Sequence, residues 1–365
     1  MAENFDLDAY MTRGVEDLVK TAMKSTLKNP RESLYLAQFA VSSRRANEKR
    51  RKAELAGEHV PTFLICSITE KCNLHCEGCY AWANEHCGTE ETKNPLSAEQ
   101  WADIFAQARE LGVGFILLAG GEPLMRMDVI REAARVPEIL FPVFTNGVLL
   151  SGDRLDLFDK HRNLLPVFSI EGGAEATDRR RGAGMYNILI KSMDRIHEKG
   201  LVFGASMTVT KKNLGEVTSD TFIDELAKRD CKALFFVEYT PIDEQSEALA
   251  LDDDDRALLE ARIGALREKR QDMLYFSFPG DEKFTGGCLA AGRGFFHINA
   301  TGGAEPCPFS PYSDTNVAET SLKESLHSRL FTELHDGGLL AEEHIGGCAL
   351  FKQKAKIEEI LGSTK

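Results

Sequence analysis

Hydrophobic residues at helical spacing dominate the start of the chain. One predicted helix has its apolar face at Val15, Leu18, Val19, Ala22 and Met23. Asn29 and Pro30 end this helix and begin a second one, with Asn29 as the N-cap and Pro30 at the first helical position. The second helix ends in a charged run over residues 44–54, which is typical of a helix face in contact with solvent. Residues 1–59 are therefore predicted to form a helical segment.

The pattern changes near residue 60, where short apolar runs begin to alternate with amphipathic stretches. The apolar runs predict β-strands at 63–68, 115–118, 141–144, 167–170, 202–208 and 233–239. The amphipathic stretches predict helices, among them 97–111, 185–199 and 221–229. Alternation of this kind indicates an α/β fold with a parallel sheet that is buried on both faces. The periodicity leaves open whether this sheet is a partial barrel or a doubly wound open sheet.

Four short motifs follow the first four predicted strands. A cysteine-containing loop over residues 72–79 follows the first strand, and Gly120-Gly121-Glu122 follows the second. Thr145-Asn146-Gly147 follows the third strand, and Ser169-Ile170-Glu171 ends the fourth. Because parallel sheets bind ligands beyond the carboxyl ends of their strands, these motifs are predicted to form one site at one edge of the sheet.

The cysteine loop has the spacing C-x3-C-x2-C, with Cys72, Cys76 and Cys79. A [4Fe–4S] cluster is normally held by four cysteine thiolates, so three from one loop leave one iron with an open coordination position. An open position on a metal is where chemistry takes place. A zinc knuckle is the alternative, although zinc sites are more often built from paired C-x2-C arms.

Composition indicates the class of protein and the cellular compartment to expect. Of the 365 residues, 43% are hydrophobic and 28% are charged, which is ordinary for a globular protein. There is no apolar run long enough for a membrane helix and no signal-peptide pattern, so we expect a cytoplasmic protein. Nine cysteines in that compartment indicate metal or redox chemistry rather than disulfides. The net charge of −13 disfavours nonspecific binding to nucleic acid.

The C-x3-C-x2-C loop and the Gly-Gly-Glu motif, each placed after a strand, resemble the radical S-adenosylmethionine (radical SAM) enzyme family. The resemblance covers roughly residues 60–280 and implies a partial (β/α)6 barrel. It implies that Cys72, Cys76 and Cys79 ligate a [4Fe–4S] cluster whose open iron is chelated by the amino and carboxylate groups of SAM. It also implies a low-potential electron donor, such as flavodoxin or ferredoxin, as a partner.

The same resemblance implies a set of SAM contacts. Gly120, Gly121 and Glu122 are expected to line the methionyl amino group, and Arg181 is expected to partner the carboxylate. Ser169 and Glu171 are expected to face the ribose, although an aspartate is commoner at the position of Glu171.

One position beside the cysteine loop also departs from the family pattern. The family often has an aromatic residue just before the third cysteine, close to the adenine, and here that residue is Gly78. Tyr80 follows the loop directly. It either replaces the missing aromatic residue or packs as an ordinary side chain.

A second group of cysteines lies in residues 281–365. Cys288 is followed by a G-x4-C motif that runs from Gly302 to Cys307. This arrangement resembles the start of a twitch or SPASM extension, the small α+β module that holds auxiliary iron–sulfur clusters in many radical SAM enzymes. Residues 295–303 predict a β-hairpin within it. Cys348 follows, and Phe351 stands where a twitch domain commonly has the last cysteine of a C-x2-C pair.

Cys288, Cys307 and Cys348 would therefore leave one iron of an auxiliary cluster without a thiolate. Three outcomes are open: an iron that binds substrate, a fourth ligand from elsewhere in the chain, or no auxiliary cluster. Cys87, just beyond the first loop, is either an ordinary residue, a ligand of this cluster or a hydrogen donor to a substrate radical.

The resemblance implies an oxidoreductase that reductively cleaves SAM to a 5′-deoxyadenosyl radical and abstracts hydrogen from a small-molecule or peptide substrate. Peptide-maturing members often carry an N-terminal recognition domain of mixed helix and strand, which residues 1–59 do not resemble. This difference favours another substrate class or a leader-independent peptide. The alternative function is a noncatalytic iron–sulfur protein for electron transfer, which would have no use for the SAM motifs.

Overall fold

The computed structural model describes residues 30–241, 245–270, 272–285, 287–340, 348, 350 and 353–362. Within these ranges one sheet of nine strands has the spatial order β7-β6-β5-β4-β3-β2-β1-β8-β9. The strands are β1 (Phe63–Ser67), β2 (Phe115–Ala119), β3 (Phe141–Thr145), β4 (Leu164–Ser169), β5 (Phe203–Val209), β6 (Cys231–Glu238), β7 (Leu274–Phe278), β8 (His297–Ile298) and β9 (Ala304–Glu305). The predicted helix over residues 15–23 and its successor's cap at Asn29 lie outside the described residues.

Helices alternate with these strands. They are α1 (Pro30–Leu55), α2 (Tyr80–Ala83), α3 (Ala98–Leu111), α4 (Met127–Ala134), α5 (Asp153–Lys160), α6 (Ala174–Arg181), α7 (Met185–Glu198), α8 (Leu214–Val217), α9 (Asp220–Ala227), α10 (Asp253–Lys269), α11 (Leu322–Leu326), α12 (Arg329–Asp336) and α13 (Lys354–Gly362). Short 3-10 turns lie at Pro123–Met125, Gln245–Leu249 and Gly280–Thr285. None of the helices in the described ranges is both long enough and apolar enough to cross a membrane.

The winding of the sheet decides between the two predicted architectures. Strands β1 to β7 pair in sequence order, and every one of these pairs is parallel. A doubly wound sheet would reverse its strand order at a switch point, whereas a barrel winds in one direction. The predicted α/β fold with a partial barrel is therefore confirmed.

Two parts of the sheet extend the six predicted strands. Strand β7 adds a seventh parallel strand beside β6. The predicted hairpin is present as β8 and β9, which pair antiparallel, and β8 also pairs parallel with β1. The C-terminal extension thus continues the barrel sheet rather than standing apart from it.

Local sequence explains why the covering helices form where they do. Ser97 caps α3, and its hydroxyl accepts a hydrogen bond from the backbone N–H of Gln100, while the Gln100 side chain accepts one from the Ser97 N–H. The inner face of α3 then buries Trp101 and Phe105. Burial of one apolar stripe on the sheet is what makes such a helix stable in this context.

Aromatic contacts link β7, at one edge of the sheet, to residues next to β8 and in β1. Phe278 of β7 approaches Phe295, just before β8, with ring centroids 5.8 Å apart. Phe295 also stacks on Phe63 of β1 at 5.0 Å. Helix α1 packs Tyr35 and Phe39 into an apolar cluster with side chains next to β3 and within β4. The barrel interior is therefore enclosed mainly by apolar side chains, and the loops at the carboxyl ends of the strands form its other wall.

Candidate active site

A cavity of about 1020 Å³ lies inside the barrel. Its walls toward the middle of the strands are apolar, with Ile65, Phe115, Phe144, Phe235 and Phe276 among the lining residues. The predicted site residues that line it are Cys72, Cys76, Cys79, Gly120, Gly121, Glu122, Ser169 and Arg181. The strand-end motifs thus meet at one wall of one cavity, as their positions in the sequence predict.

The cysteine loop is fixed by backbone hydrogen bonds on both sides. The Cys72 N–H donates to the Gly88 carbonyl at 2.8 Å, and the Glu77 N–H donates to the Arg180 carbonyl at 2.8 Å. All three loop cysteines are partly exposed, and each one lines the cavity. Their thiols are therefore accessible to a group bound in the cavity while the backbone that carries them is held in place.

The three thiols of the loop have the donor chemistry that an iron–sulfur cluster requires. In the described part of the chain, no three His, Cys, Asp or Glu side chains converge on a point where one metal ion would sit. A [4Fe–4S] cluster holds its cysteines around a larger body than one zinc ion does. Cys72, Cys76 and Cys79 all line the cavity and are the residues of this loop that would hold such a cluster.

Cys87 lies against this loop. It is buried, lines the same cavity, and hydrogen-bonds through its thiol to Cys72. This hydrogen bond is the main reason why the pKa of the Cys72 thiol is lowered and that of the Cys87 thiol is raised. The structure therefore places Cys87 beside the first cysteine group rather than leaving it an isolated thiol.

Two glycines let the second loop lie directly on the backbone that leads into the cysteines. A Cβ atom on Gly120 would lie 2.2 Å from the Thr69 carbonyl oxygen, and one on Gly121 would lie 2.3 Å from that of Lys71. The Gly121 N–H donates to the Thr69 carbonyl at 2.8 Å. Any side chain at either position would push the two loops apart.

Glu122 ties the second strand-end motif to the third. Its side chain is 1% exposed. One carboxylate oxygen accepts hydrogen bonds from the Thr145 hydroxyl at 2.8 Å and the Leu124 N–H at 3.0 Å, and the other accepts one from the Asn146 N–H at 2.8 Å. Burial nevertheless raises the pKa of this carboxyl group. The Glu122 carboxylate thus connects the loop after β2 to the loop after β3 through buried hydrogen bonds.

Glu171 lies behind the cavity wall, where it binds two arginines. One oxygen accepts from Arg180 Nη1 at 2.7 Å and from Arg181 Nε at 2.8 Å, and the other accepts from the Thr208 N–H at 3.0 Å. Burial works to raise the pKa of Glu171, but the two guanidinium groups outweigh it and the pKa is lowered. Arg180 and Arg181 both line the cavity, and Arg181 Nη1 lies 4.0 Å from the Cys76 sulfur. Glu171 therefore orients cationic side chains toward the site.

Tyr239 was missed by the sequence analysis. It directly follows β6, is buried and lines the cavity. A Cβ atom on Gly78 would lie 2.6 Å from the Tyr239 hydroxyl oxygen, so the tyrosine occupies the space that this glycine leaves beside the third cysteine. Its hydroxyl is buried without a hydrogen-bond partner among the described residues. Tyr80 instead packs against Phe309, with ring centroids 4.6 Å apart.

The second cysteine group lies next to the same cavity. Cys288 and Cys307 are buried, Cys348 is partly exposed, and the three thiols interact electrostatically with one another. Leu289 and Phe309, which lie directly after Cys288 and near Cys307 in sequence, line the cavity. Phe351 lies outside the described residues.

Glu282 joins this second group, and sequence analysis did not single it out. It is 4% exposed and hydrogen-bonds to the Cys288 side chain. Burial raises the pKa of its carboxyl group to about 8. It lies on the 3-10 turn that follows β7, a strand that the sequence analysis also missed.

Comparison with protein-family models shows which family the barrel residues match. The family model described as "Radical SAM superfamily" matches residues 66–219, which include the cysteine loop and the motifs of the next three strands. Residues 66–219 therefore form a radical SAM domain. The predicted family is thus confirmed, and with it a SAM-dependent enzyme that carries a [4Fe–4S] cluster. The noncatalytic alternative is not supported.

Several relatives resemble this radical SAM enzyme over most of its length. An AdoMet-dependent heme synthase of Methanosarcina barkeri is 26% identical over 329 residues, which are 82% of this chain and 91% of that protein. A PqqA peptide cyclase of Rhizobium meliloti is 26% identical over 278 residues, 72% of each chain. The crystal structure of Streptococcus suis SuiB bound to S-adenosylmethionine has a TM-score of 0.64 at 17% identity and covers 79% of this chain and 71% of that one. This last likeness concerns the fold.

Proposed function

We propose that Cys72, Cys76 and Cys79 hold the [4Fe–4S] cluster of this enzyme and that SAM binds between them and the Gly120-Gly121-Glu122 loop. The observation that carries this proposal is the meeting of these motifs at one wall of the 1020 Å³ cavity. When bound, the cluster would supply the electron for reductive cleavage of SAM, and the resulting 5′-deoxyadenosyl radical would take a hydrogen atom from the substrate. A low-potential protein such as flavodoxin or ferredoxin would deliver that electron.

The charged ends of the methionyl part find complementary groups in this chain. Backbone oxygens of Gly120 and Gly121 would accept from the ammonium group, because the close packing of the loops brings this backbone to the cavity wall. Arg181 would bind the carboxylate, since Glu171 fixes its guanidinium at the wall. In this assignment Glu171 positions the arginines and does not face the ribose.

Hydroxyl groups at the ends of β4 and β5 suit the ribose. Ser169 and Ser206 are neighbours in the β4–β5 register, and both line the cavity together with Thr208. Tyr239 would then cover the adenine beside Gly78, with its buried hydroxyl available as a hydrogen-bond donor to the base. In this proposal Tyr239, from the end of β6, would replace the aromatic residue expected within the loop.

The apolar part of the cavity would hold the reacting part of the substrate. Its lining side chains, among them Phe115, Phe144 and Phe235, disfavour a highly charged group at that depth. A small molecule or a peptide side chain with apolar surface satisfies this requirement. The relatives, named as a heme synthase and a peptide cyclase, span these two classes.

We further propose that Cys288, Cys307 and Cys348 hold an auxiliary iron–sulfur cluster. Their mutual interaction and their position beside the cavity support this assignment. A second cluster there would lie next to the cavity that is proposed to hold the substrate.

One variant tests both cluster assignments. Anaerobically reconstituted protein in which Cys72, Cys76 and Cys79 are all changed to Ala should lose about four irons and form no 5′-deoxyadenosine, while it keeps the iron of the auxiliary site. Cys231→Ala is the matched control, because Cys231 is buried in β6. Production of 5′-deoxyadenosine by the triple variant would show that these three cysteines do not hold the SAM-cleaving cluster. A triple variant without any iron would contradict the auxiliary cluster.

A further inference from the structure

The carboxyl group of Glu282 lies within the second cysteine group. It hydrogen-bonds to the Cys288 side chain, and one of its oxygens accepts a hydrogen bond from the Leu289 N–H at 3.4 Å. Its side chain is almost completely shielded from solvent, at 4% exposure. A buried carboxyl group beside thiols is costly unless it is hydrogen-bonded, paired or bound to a metal.

The four acidic side chains form one electrostatic group. Glu282 interacts with both Cys288 and Cys307, and Cys348 interacts with the same two cysteines. Arg293 is the nearby cation, and its Nη1 donates to the Cys288 carbonyl at 2.6 Å. Three thiols and one carboxyl group supply four anionic donors, which is the number that the four irons of a cubane cluster require.

We propose that Glu282 is the fourth ligand of the auxiliary cluster and binds its remaining iron through a carboxylate oxygen. This inference rests on the proposed auxiliary cluster. The carboxyl group releases its proton when it binds iron, as metal ligands do. The vacancy left by three cysteines is then closed within the chain, on the 3-10 turn between β7 and Cys288.

With Glu282 as the fourth ligand, every iron of the auxiliary cluster has a ligand from the protein. Metal sites with all positions filled by the protein are typical of structural or electron-transfer roles, whereas sites with an open position bind substrate. The auxiliary cluster of this enzyme would therefore accept or relay an electron and would not bind the substrate directly.

The test uses full-length protein in which Cys72, Cys76 and Cys79 are Ala, so that the auxiliary cluster is the only one present. After anaerobic reconstitution, iron is counted, the sample is oxidised mildly with ferricyanide, and the EPR spectrum is recorded. The parent should keep all its iron. Glu282→Ala should lose one iron and show the signal of a three-iron cluster. Glu282→Cys should restore resistance to oxidation, which separates ligand loss from misfolding.

Glu238→Gln is the matched control, because Glu238 is a second buried carboxyl group that interacts with Glu282. It should behave as the parent does. If Glu282→Ala keeps its iron, or if the parent loses one iron as readily as Glu282→Ala, then Glu282 only hydrogen-bonds Cys288 and the inference is wrong. If Glu282→Cys does not resist oxidation, the inference is also wrong. A parent that binds no iron overturns the auxiliary cluster itself.

Discussion

At the scale of single residues, the site is built from side chains that are far apart in sequence. In the sequence, Gly78 shows only that the cysteine loop lacks the aromatic residue common in the family. In the structure Tyr239 occupies that space, and its hydroxyl oxygen lies 2.6 Å from the position of a Cβ atom on residue 78. Sequence reasoning reached the residues whose spacing is local, such as Cys72 and Cys76, and missed those brought in by the fold, such as Tyr239 and Glu282.

The role of Tyr239 can be measured through SAM affinity. Tyr239→Phe removes the buried hydroxyl and should weaken SAM binding about fivefold, the loss expected for one hydrogen bond of about 1 kcal/mol. Tyr239→Ala should weaken it further, because the ring contact with the adenine is lost as well. Anaerobic equilibrium dialysis with labelled SAM gives the dissociation constants.

Tyr35→Phe is the control for this series. The Tyr35 hydroxyl is also buried without a partner among the described residues, but it lies on α1. Its removal should leave SAM affinity unchanged. If wild type, Tyr239→Phe and Tyr239→Ala bound SAM with equal affinity, Tyr239 would not be part of the SAM site.

At the scale of elements, hydrophobic patterning located the strands and helices well. The six predicted strands are present, because each is an apolar run bounded by turn residues. The largest difference is in β4, which begins at Leu164 rather than Val167. Strand β7 was missed because its run of five residues follows a long helix and falls beyond the last of the predicted alternations. The pairing of β8 with β1 joins residues more than 200 positions apart, so no local pattern reveals it.

The contact between the two cavity loops gives a prediction at this scale. Gly121→Ala places a Cβ atom against the Lys71 carbonyl and should destabilise the protein by about 1–3 kcal/mol, the usual cost of overpacking. It should also lower the iron content, because the displaced backbone leads directly into Cys72. Denaturant unfolding under anaerobic conditions, together with iron analysis, measures both effects.

Gly264→Ala provides the comparison. Gly264 lies within α10 and an added Cβ atom meets nothing within 4 Å. Since alanine favours helix over glycine, this variant should be more stable by about 0.5–1 kcal/mol. If both variants had full iron content and similar stability, the close packing of the loops would not be needed to hold the cluster.

At the scale of the whole molecule, the first cysteine group lines the cavity and the second lies next to it, and one continuous sheet connects them. The N-terminal group comes from the loop after β1, and the C-terminal group flanks the β8–β9 hairpin that pairs with that same strand. The hairpin thus joins the second group to the barrel sheet, beside the cavity that the first group lines. The sequence indicated each group by its cysteine spacing. Their position at or beside the same cavity follows only from the long-range pairing of β8 with β1.

The proposed function depends on SAM binding to the iron that Cys72, Cys76 and Cys79 leave open. The most direct measurement is electron–nuclear double resonance on the reduced enzyme with SAM labelled at the amino nitrogen and the carboxylate oxygens. We predict coupling of both labels to the cluster in the wild type and in Cys231→Ala, and none when the three cysteines are changed to Ala. Absence of coupling in a wild-type enzyme that still forms 5′-deoxyadenosine would show that SAM does not bind this iron.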